Sequence, residues 1–394
     1  MAEIAEKPPA RIISALSALS AGQKRKLSSA RNKNKYSVGD TLSTLIHSAL
    51  TNQPISGNYT EEEWQRCFDM ALAQNVLAMT FPAMTALPKE QRPSFVLWSK
   101  WMAYAQSVAE QSQYKCEVVK KIGAWLAEDE LSTTLIKGFS ISVLYPRLEL
   151  REFSDIDIFS GKDYDAVNAC FAKHGVKVDS VDGHHAYLKV DGISVEHHFA
   201  FSNTKVKDGL LGPEETLKQL AVKNQQPTSI PGIYFPTPAF TALFVGWHAY
   251  EHFLQEKIQL RHVIDWVLAL RALTPSDAVV VRQTIENATW SRFADTLTAI
   301  AIHQLGLPQE WFPANEIEIA NSIDEVQEQM VWDDIINTLH TPHSHNSNSR
   351  RISIGKRILK NSWKYKAFAN ISAQEALWKD VVGHFKSKIK RPQI

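Results

Sequence analysis

Residues Leu135 to Phe159 read LIKGFSISVLYPRLELREFSDIDIF, and the last five positions decide the fold. Asp155 and Asp157 flank Ile156 inside an apolar run that continues through Ile158 and Phe159. In a β-strand residues i and i+2 share a face, so the two carboxylates point one way while Ile156 and Ile158 point into a core. Like charges so placed repel one another, and a divalent cation coordinated by their hard oxygens is the usual remedy. The same repulsion predicts that replacing either aspartate by asparagine leaves the metal-free protein as stable as before, or more so.

The neighbouring residues extend this reading. Lys137 and Gly138 close the preceding short strand; glycine there lets the backbone approach a phosphate, and Ser140 adds a hydroxyl at the start of a helix. Downstream, ISVEHHFAF from Ile193 puts Glu196 and His198 on one face and Val195, His197 and Phe199 on the other. Glu196 is therefore the candidate third carboxylate beside Asp155 and Asp157. Three carboxylates facing a glycine-opened helix start suit a nucleoside triphosphate with one or two magnesium ions. A lone histidine is more often a core residue than a ligand, and His198 is weighed that way. Arg151 is either a phosphate partner or half of a structural ion pair with Glu149, Glu152 or an aspartate.

Around this segment the chain changes texture twice. Residues 38–128 carry apolar side chains at three- and four-residue spacing, with Thr60 and Glu63 forming a capping-box pattern. Short β-type runs follow, STTLIKGF, SDIDIFS, HAYLKVDG and ISVEHHFAF, with the amphipathic DYDAVNACFAKHG between the second and third. From Thr237 helical spacing returns. The expected organisation is a basic tail (1–37), an N-terminal helical region (38–128), an α/β core (129–205), a C-terminal helical region (206–339), and a polar linker with terminal helices (340–394). The fold class is α+β: a small mixed-sheet core embedded between two helical regions.

Composition removes several classes of function. The 43 Lys and Arg nearly balance the 42 Asp and Glu in 394 residues, so no overall field favours nucleic acid, which is not an expected partner. Cys67, Cys116 and Cys170 lie far apart without a ligand or disulfide spacing, which suits a reducing, cytoplasmic setting. No apolar run is long enough to span a bilayer. The short apolar run RIISALSALSA follows acidic residues and a Pro pair rather than a basic leader, so it is expected to be a tail or short helix. His248 and His252 lie one helical turn apart, but the His-Glu-x-x-His order of a zinc protease is absent.

The joint pattern of Lys137-Gly138, Tyr145-Pro146, Arg151, Asp155-Ile156-Asp157 and Glu196-x-His198-aromatic, with WHAYEHF and KIQLRHVIDW downstream, resembles the bacterial uncharacterised nucleotidyltransferase family of the DNA polymerase β superfamily. The resemblance covers about Leu135 to Leu270. It implies transfer of a nucleoside monophosphate from an NTP to an acceptor, with Mg2+ or Mn2+ held by Asp155, Asp157 and Glu196. It implies that Lys137, Gly138, Ser140 and Arg151 bind the nucleotide; Lys257 and Arg261, one helical turn apart, either face the nucleotide or pair with Glu256 and Asp265. The typical Gly-Ser opening is here Gly138-Phe139-Ser140, and His197 stands where an aliphatic residue is usual. A non-catalytic binding protein of the same fold and an Asp-x-Asp glycosyltransferase are the alternatives. The acceptor, whether small molecule, sugar, peptide or protein, is not specified by these residues.

Overall fold

The computed structural model describes residues 38–337 and 359–375, apart from 56, 203–211, 224, 289 and 373. The basic tail and the His340–Arg351 segment therefore lie outside the described residues. Four helices lead into the sheet: α1 (Val38–Thr51), α2 (Glu61–Ala73), α3 (Leu77–Ala86) and α4 (Phe95–Glu128). The capping box at α2 is formed, with the Thr60 hydroxyl accepting from the Glu63 amide at 3.3 Å and Glu63 accepting from the Thr60 amide at 2.7 Å. The apolar spacing runs through α2 and α3 without interruption, yet the chain turns between them at Asn75, whose φ is +53°. Asparagine tolerates that left-handed conformation, and its side chain is held there by donating to Gln259 Oε1 at 2.9 Å.

The sheet is mixed and seven-stranded. It comprises β1 (Thr133–Ile136), β2 (Ile156–Phe159), β3 (Val178–Val181), β4 (His185–Val190), β5 (Ile193–His198), β6 (Gln226–Pro227) and β7 (Ile233–Phe235), in the order β3-β4-β5-β2-β1-β7-β6. The pairs β2–β5 and β1–β7 are parallel and the others antiparallel. The expected neighbours β1, β2 and β5 are adjacent, with Asp155 just before β2 and Phe199 just after β5. Strands β3, β6 and β7 were not expected from the sequence. All four residues of β3 are exposed, and β6 and β7 are too short to show a period. Strand β7 lies beyond residue 205, so the sheet draws on the segment assigned to the C-terminal helical region.

Alternation along the strands gives the sheet two apolar faces. Leu135, Ile156, Ile158 and Val195 join Val118, Ile122 and Leu126 of α4 and Val167 and Phe171 of α6 (Tyr164–Lys173), the helix after the short α5 (Gly138–Ser142). Ile136 and Phe159 face the larger cluster, which contains α8 (Pro238–Gln255) and α9 (Leu260–Arg271), reached through α7 (Glu214–Val222). Phe201 stacks between Phe159 at 4.6 Å and Phe240 at 5.1 Å, fastening α8 over this face. Helix α4 serves both clusters, with Leu97, Trp101 and Ala105 in one and Val118, Ile122 and Leu126 in the other; its 34 residues span about 50 Å. The helical region continues through α10 (Pro275–Glu286), α11 (Ser291–His303), α12 (Ala314–Asn321) and α13 (Glu325–Ile336). Gly246 of α8 allows the closest approach there, since a Cβ would meet Trp266 and Trp290 at 2.8 Å. The fold is α+β, a mixed sheet between helical regions on both sides in sequence. No helix among the described residues is long and apolar enough to cross a membrane.

Candidate active site

Strand register builds the site. Parallel pairing of β2 with β5 sets Asp157 opposite Glu196 and Phe159 opposite His198. Antiparallel pairing of β4 with β5 sets Tyr187 opposite Glu196 and His185 opposite His198. Because alternate residues share a face, Asp157, Glu196, His198 and His185 gather on the side that faces α8, where Phe244 lies 6.0 Å from the His198 ring. His197 points the other way, its ring bonded to Asn168 at 2.9 Å and Ser160 at 3.0 Å.

Lys137 leaves β1 with φ +53° and ψ −110°, a costly conformation for a residue with a side chain. That turn directs its ammonium onto the carboxylates, 3.0 Å from Asp157 Oδ1 and 3.5 Å from Glu196 Oε2. His198 Nε2 lies 3.1 Å from the same Asp157 oxygen and 3.6 Å from Glu196 Oε2. Burial lowers the His198 pKa, but the hydrogen bond to Asp157 and the Glu196 carboxylate 3.6 Å away outweigh it and raise the value to about 9, so the ring is cationic at pH 7. Burial raises the Glu196 pKa, yet the His198 ring and the Lys137 charge hold it down at about 2. Burial likewise lowers the Lys137 pKa, and the charges of Asp157, Asp155 and Glu196 reverse that into a rise.

Asp155 is half-buried beside this group, and its charge acts on Lys137, Glu196 and Lys115. Asp157 and Glu196 thus contact two cations, Lys137 and protonated His198, while Asp155 adds charge from nearby but lies outside the group of ligand atoms that converge there. Asp157 is 1% exposed, and its buried Oδ2 has no hydrogen-bond partner among the described residues. A buried carboxylate oxygen left unpaired is costly, and a cation would satisfy it. Ligand atoms of Asp157, Glu196 and His198 lie within 4.8 Å of one another, as do those of His184, His185 and His198. Residual negative charge, an orphaned oxygen and convergent donors together fit a divalent ion.

The residues expected to bind phosphate are dispersed. Lys137 is at the carboxylates. Gly138 packs beneath Phe153, whose ring atoms would stand 3.1–3.3 Å from a Cβ at that position. The Ser140 hydroxyl donates to the Lys137 carbonyl at 3.2 Å. Arg151 is 3% exposed and forms the structural pair weighed as its alternative: its partner is Asp265, 114 residues away, reached at 2.6 Å and 3.1 Å, with Tyr145 donating to the same carboxylate at 2.7 Å. Arg261 donates to the Glu152 carbonyl at 3.4 Å, while its buried Nε has no hydrogen-bond partner among the described residues. Arg151 and Arg261 line a cavity of about 280 Å3 together with Lys115, Tyr104, Gln111 and Glu152. Lys257 is directed to α13, 3.7 Å from Asp334 Oδ1.

Sequence reasoning missed His184 and His185 and set His198 aside as a core residue. The overlooked signal is Asp191-Gly192, a two-residue loop in which both positions have positive φ, +48° and +80°. Asp-Gly between alternating strands specifies a tight hairpin, and counting outward from it pairs Val190 with Ile193, Tyr187 with Glu196 and His185 with His198.

The solution structure of the antibiotic-resistance factor ANT(2'')-Ia is similar over 46% of this chain and 95% of its own, at 15% identity and a TM-score of 0.33. No curated protein matches the chain. The model of the family described as "Uncharacterised nucleotidyltransferase" matches residues 60–306, more than half of the chain and all of the site built above, and the protein belongs to that nucleotidyltransferase family.

Proposed function

We propose that the protein transfers a nucleoside monophosphate from an NTP to an acceptor hydroxyl or amine, releasing pyrophosphate, with Asp157, Glu196 and Asp155 holding the divalent ions, and that it is a member of the DNA polymerase β superfamily. The supporting observation is the register that sets Asp157 directly opposite Glu196 on parallel neighbours, with one buried Asp157 oxygen unpaired among the described residues. Bound divalent ions would neutralise triphosphate charge and lower the pKa of the acceptor for in-line attack. Asp157 and Glu196, fixed by their strands, hold donor oxygens in place without reorganisation, the condition under which electrostatic stabilisation is strongest. The Lys137 ammonium, on a side chain reaching from the strand end, is positioned to exchange its carboxylate contacts for phosphate oxygens when the site fills. Phe244 of α8 packs on the His198 ring beside the carboxylates.

One observation favours a second reading. Lys137 bridges both carboxylates, and a protein that retains this bridge in solution would bind nucleotide or a partner without catalysis. Mass spectrometry of the protein and of a small-molecule extract after incubation with each labelled triphosphate, with Mg2+ or Mn2+, separates the two. A mass increase of one nucleoside monophosphate, lost in Asp157→Asn, supports transfer. Intact triphosphate under every condition, with no adduct on protein or extract, overturns it.

A further inference from the structure

The carboxylates are not the only donors on this face. His185 opens β4 and His184 immediately precedes it, beside the end of β5 that carries His198, with ring centroids 4.2 Å apart for His184–His185 and 4.9 Å for His185–His198. One nitrogen from each of the three lies within 4.8 Å of the others. His185 is 3% exposed, and among the described residues neither of its buried ring nitrogens has a hydrogen-bond partner. The nearest carboxylates stand beyond bonding distance, Asp182 Oδ1 at 3.7 Å from Nδ1 and Glu196 Oε1 at 3.6 Å from Nε2. A histidine built only to fill a core would have at least one nitrogen satisfied. Asp182 accepts from the His184 and His185 backbone amides at 2.9 Å and 3.1 Å, which fixes the turn presenting both rings.

We propose that His184, His185 and His198 form a nitrogen-donor position for a divalent first-row transition ion of the Zn2+ or Co2+ class, adjoining the carboxylate position. Imidazole is a borderline donor that such ions accept and Mg2+ does not, since Mg2+ takes oxygen ligands and sheds water reluctantly. Tetrahedral zinc with Zn–N distances near 2.0–2.1 Å sets its nitrogens about 3.3 Å apart, so the three rings need only close slightly around the ion. Glu196, 3.6 Å from His185 Nε2, supplies a fourth donor or orients a bound water. His198 belongs to both donor groups; its Nε2 lies 3.1 Å from Asp157 Oδ1 and its Nδ1 3.3 Å from the Ala200 carbonyl, so the ring gives up a proton and one of these contacts when it ligates an ion. The position requires no particular nucleotide or acceptor, and its test does not depend on transfer.

The test is titration of the chelator-treated full chain with Co2+, followed by visible absorption and by competition with Zn2+ and Mg2+. The expected result is one equivalent of cobalt giving the intense bands of a low-coordinate nitrogen-containing site, displaced by Zn2+ and retained in a thousandfold excess of Mg2+. His185→Ala should weaken Co2+ binding at least tenfold and bleach the bands. Because His185 is buried, circular dichroism must show that variant folded, and His184→Ala, at a half-buried position, gives an independent measurement with the same expected direction. The proposal is overturned if wild type gives only the pale spectrum of octahedral aqueous cobalt, if Mg2+ displaces Co2+ at comparable concentration, or if folded His184→Ala and His185→Ala both bind cobalt as wild type does. Loss of nucleotidyl transfer with the cobalt spectrum intact would count against the proposed function and leave this site standing.

Discussion

Asp157→Asn should destabilise the metal-free protein, the reverse of what two neighbouring aspartates alone suggest. The strand places Asp157 at 1% exposure, where its Oδ1 meets Lys137 Nζ at 3.0 Å and His198 Nε2 at 3.1 Å. Repulsion from Asp155 is therefore outweighed by two cations in contact. The rise of the His198 pKa from 6.5 to about 9 corresponds to about 3 kcal/mol, of which the Asp157 hydrogen bond is the largest favourable contribution, followed by the Glu196 carboxylate. Assigning Asp157 somewhat more than half gives about 2 kcal/mol, and loss of the Lys137 contact brings the total to about 3 kcal/mol, at the lower edge for breaking a buried pair because Glu196 remains beside both cations. The sign with pH follows. A folded-state value above the unfolded one gives stability that is fully present below pH 6.5 and is lost as pH rises through about 9. Urea unfolding in chelator at pH 6, 7, 8 and 9, monitored by circular dichroism, should show the deficit of Asp157→Asn greatest at pH 6 and shrinking toward pH 9. An asparagine variant as stable as wild type at pH 6, or a deficit that grows with pH, would refute the reasoning.

Three further outcomes follow from the same coordinates. Glu196→Gln should lower nucleotidyl transfer by about 100-fold or more and destabilise the protein in chelator, though by less than Asp157→Asn, since its cation contacts are 3.5 Å or longer; initial rates with saturating metal and thermal unfolding decide it. Arg151→Met should cost about 3–5 kcal/mol of unfolding free energy by stranding the Asp265 carboxylate, and a variant that keeps its stability but loses nucleotide affinity would return Arg151 to a phosphate-binding role. Gly246→Ala should cost about 1–3 kcal/mol through collision with Trp266 and Trp290, measured by urea midpoint.

The parts of the fold that were legible are those with a strong period. Ile156 and Ile158 against Asp157 announced a strand with one apolar face, though all four residues of β2 are buried, and the adjacency of β1, β2 and β5 follows the expected arrangement. Glu196 could be assigned to the face of His198 by alternation alone, but only the β2–β5 register, a tertiary fact, sets it opposite Asp157. The charge balance was not legible either. A sequence shows Asp155 and Asp157 as a repelling pair, whereas the turn at Lys137 that brings an ammonium between Asp157 and Glu196 depends on a backbone conformation its residue type disfavours. Arg151 illustrates the same limit from the other side: its partner Asp265 comes from α9, at a sequence separation no local pattern encodes. The histidines are the exception, since the Asp191-Gly192 hairpin carried their register in plain view.

Strand β7 gives the sheet a consequence for how this activity can be inherited. By pairing in parallel with β1, it makes the strand that ends in Lys137 an interior strand, and α8 then lays Phe240 and Phe244 against Phe201 above the carboxylates. A fragment cut after residue 205 would bare the main-chain edge of β1 and a large apolar face, a template for aggregation rather than a working core. The segment that could be inserted into another gene as a self-sufficient unit therefore includes at least α4 through α9, so the helices on either side of the sheet travel with the chemistry instead of being added to it.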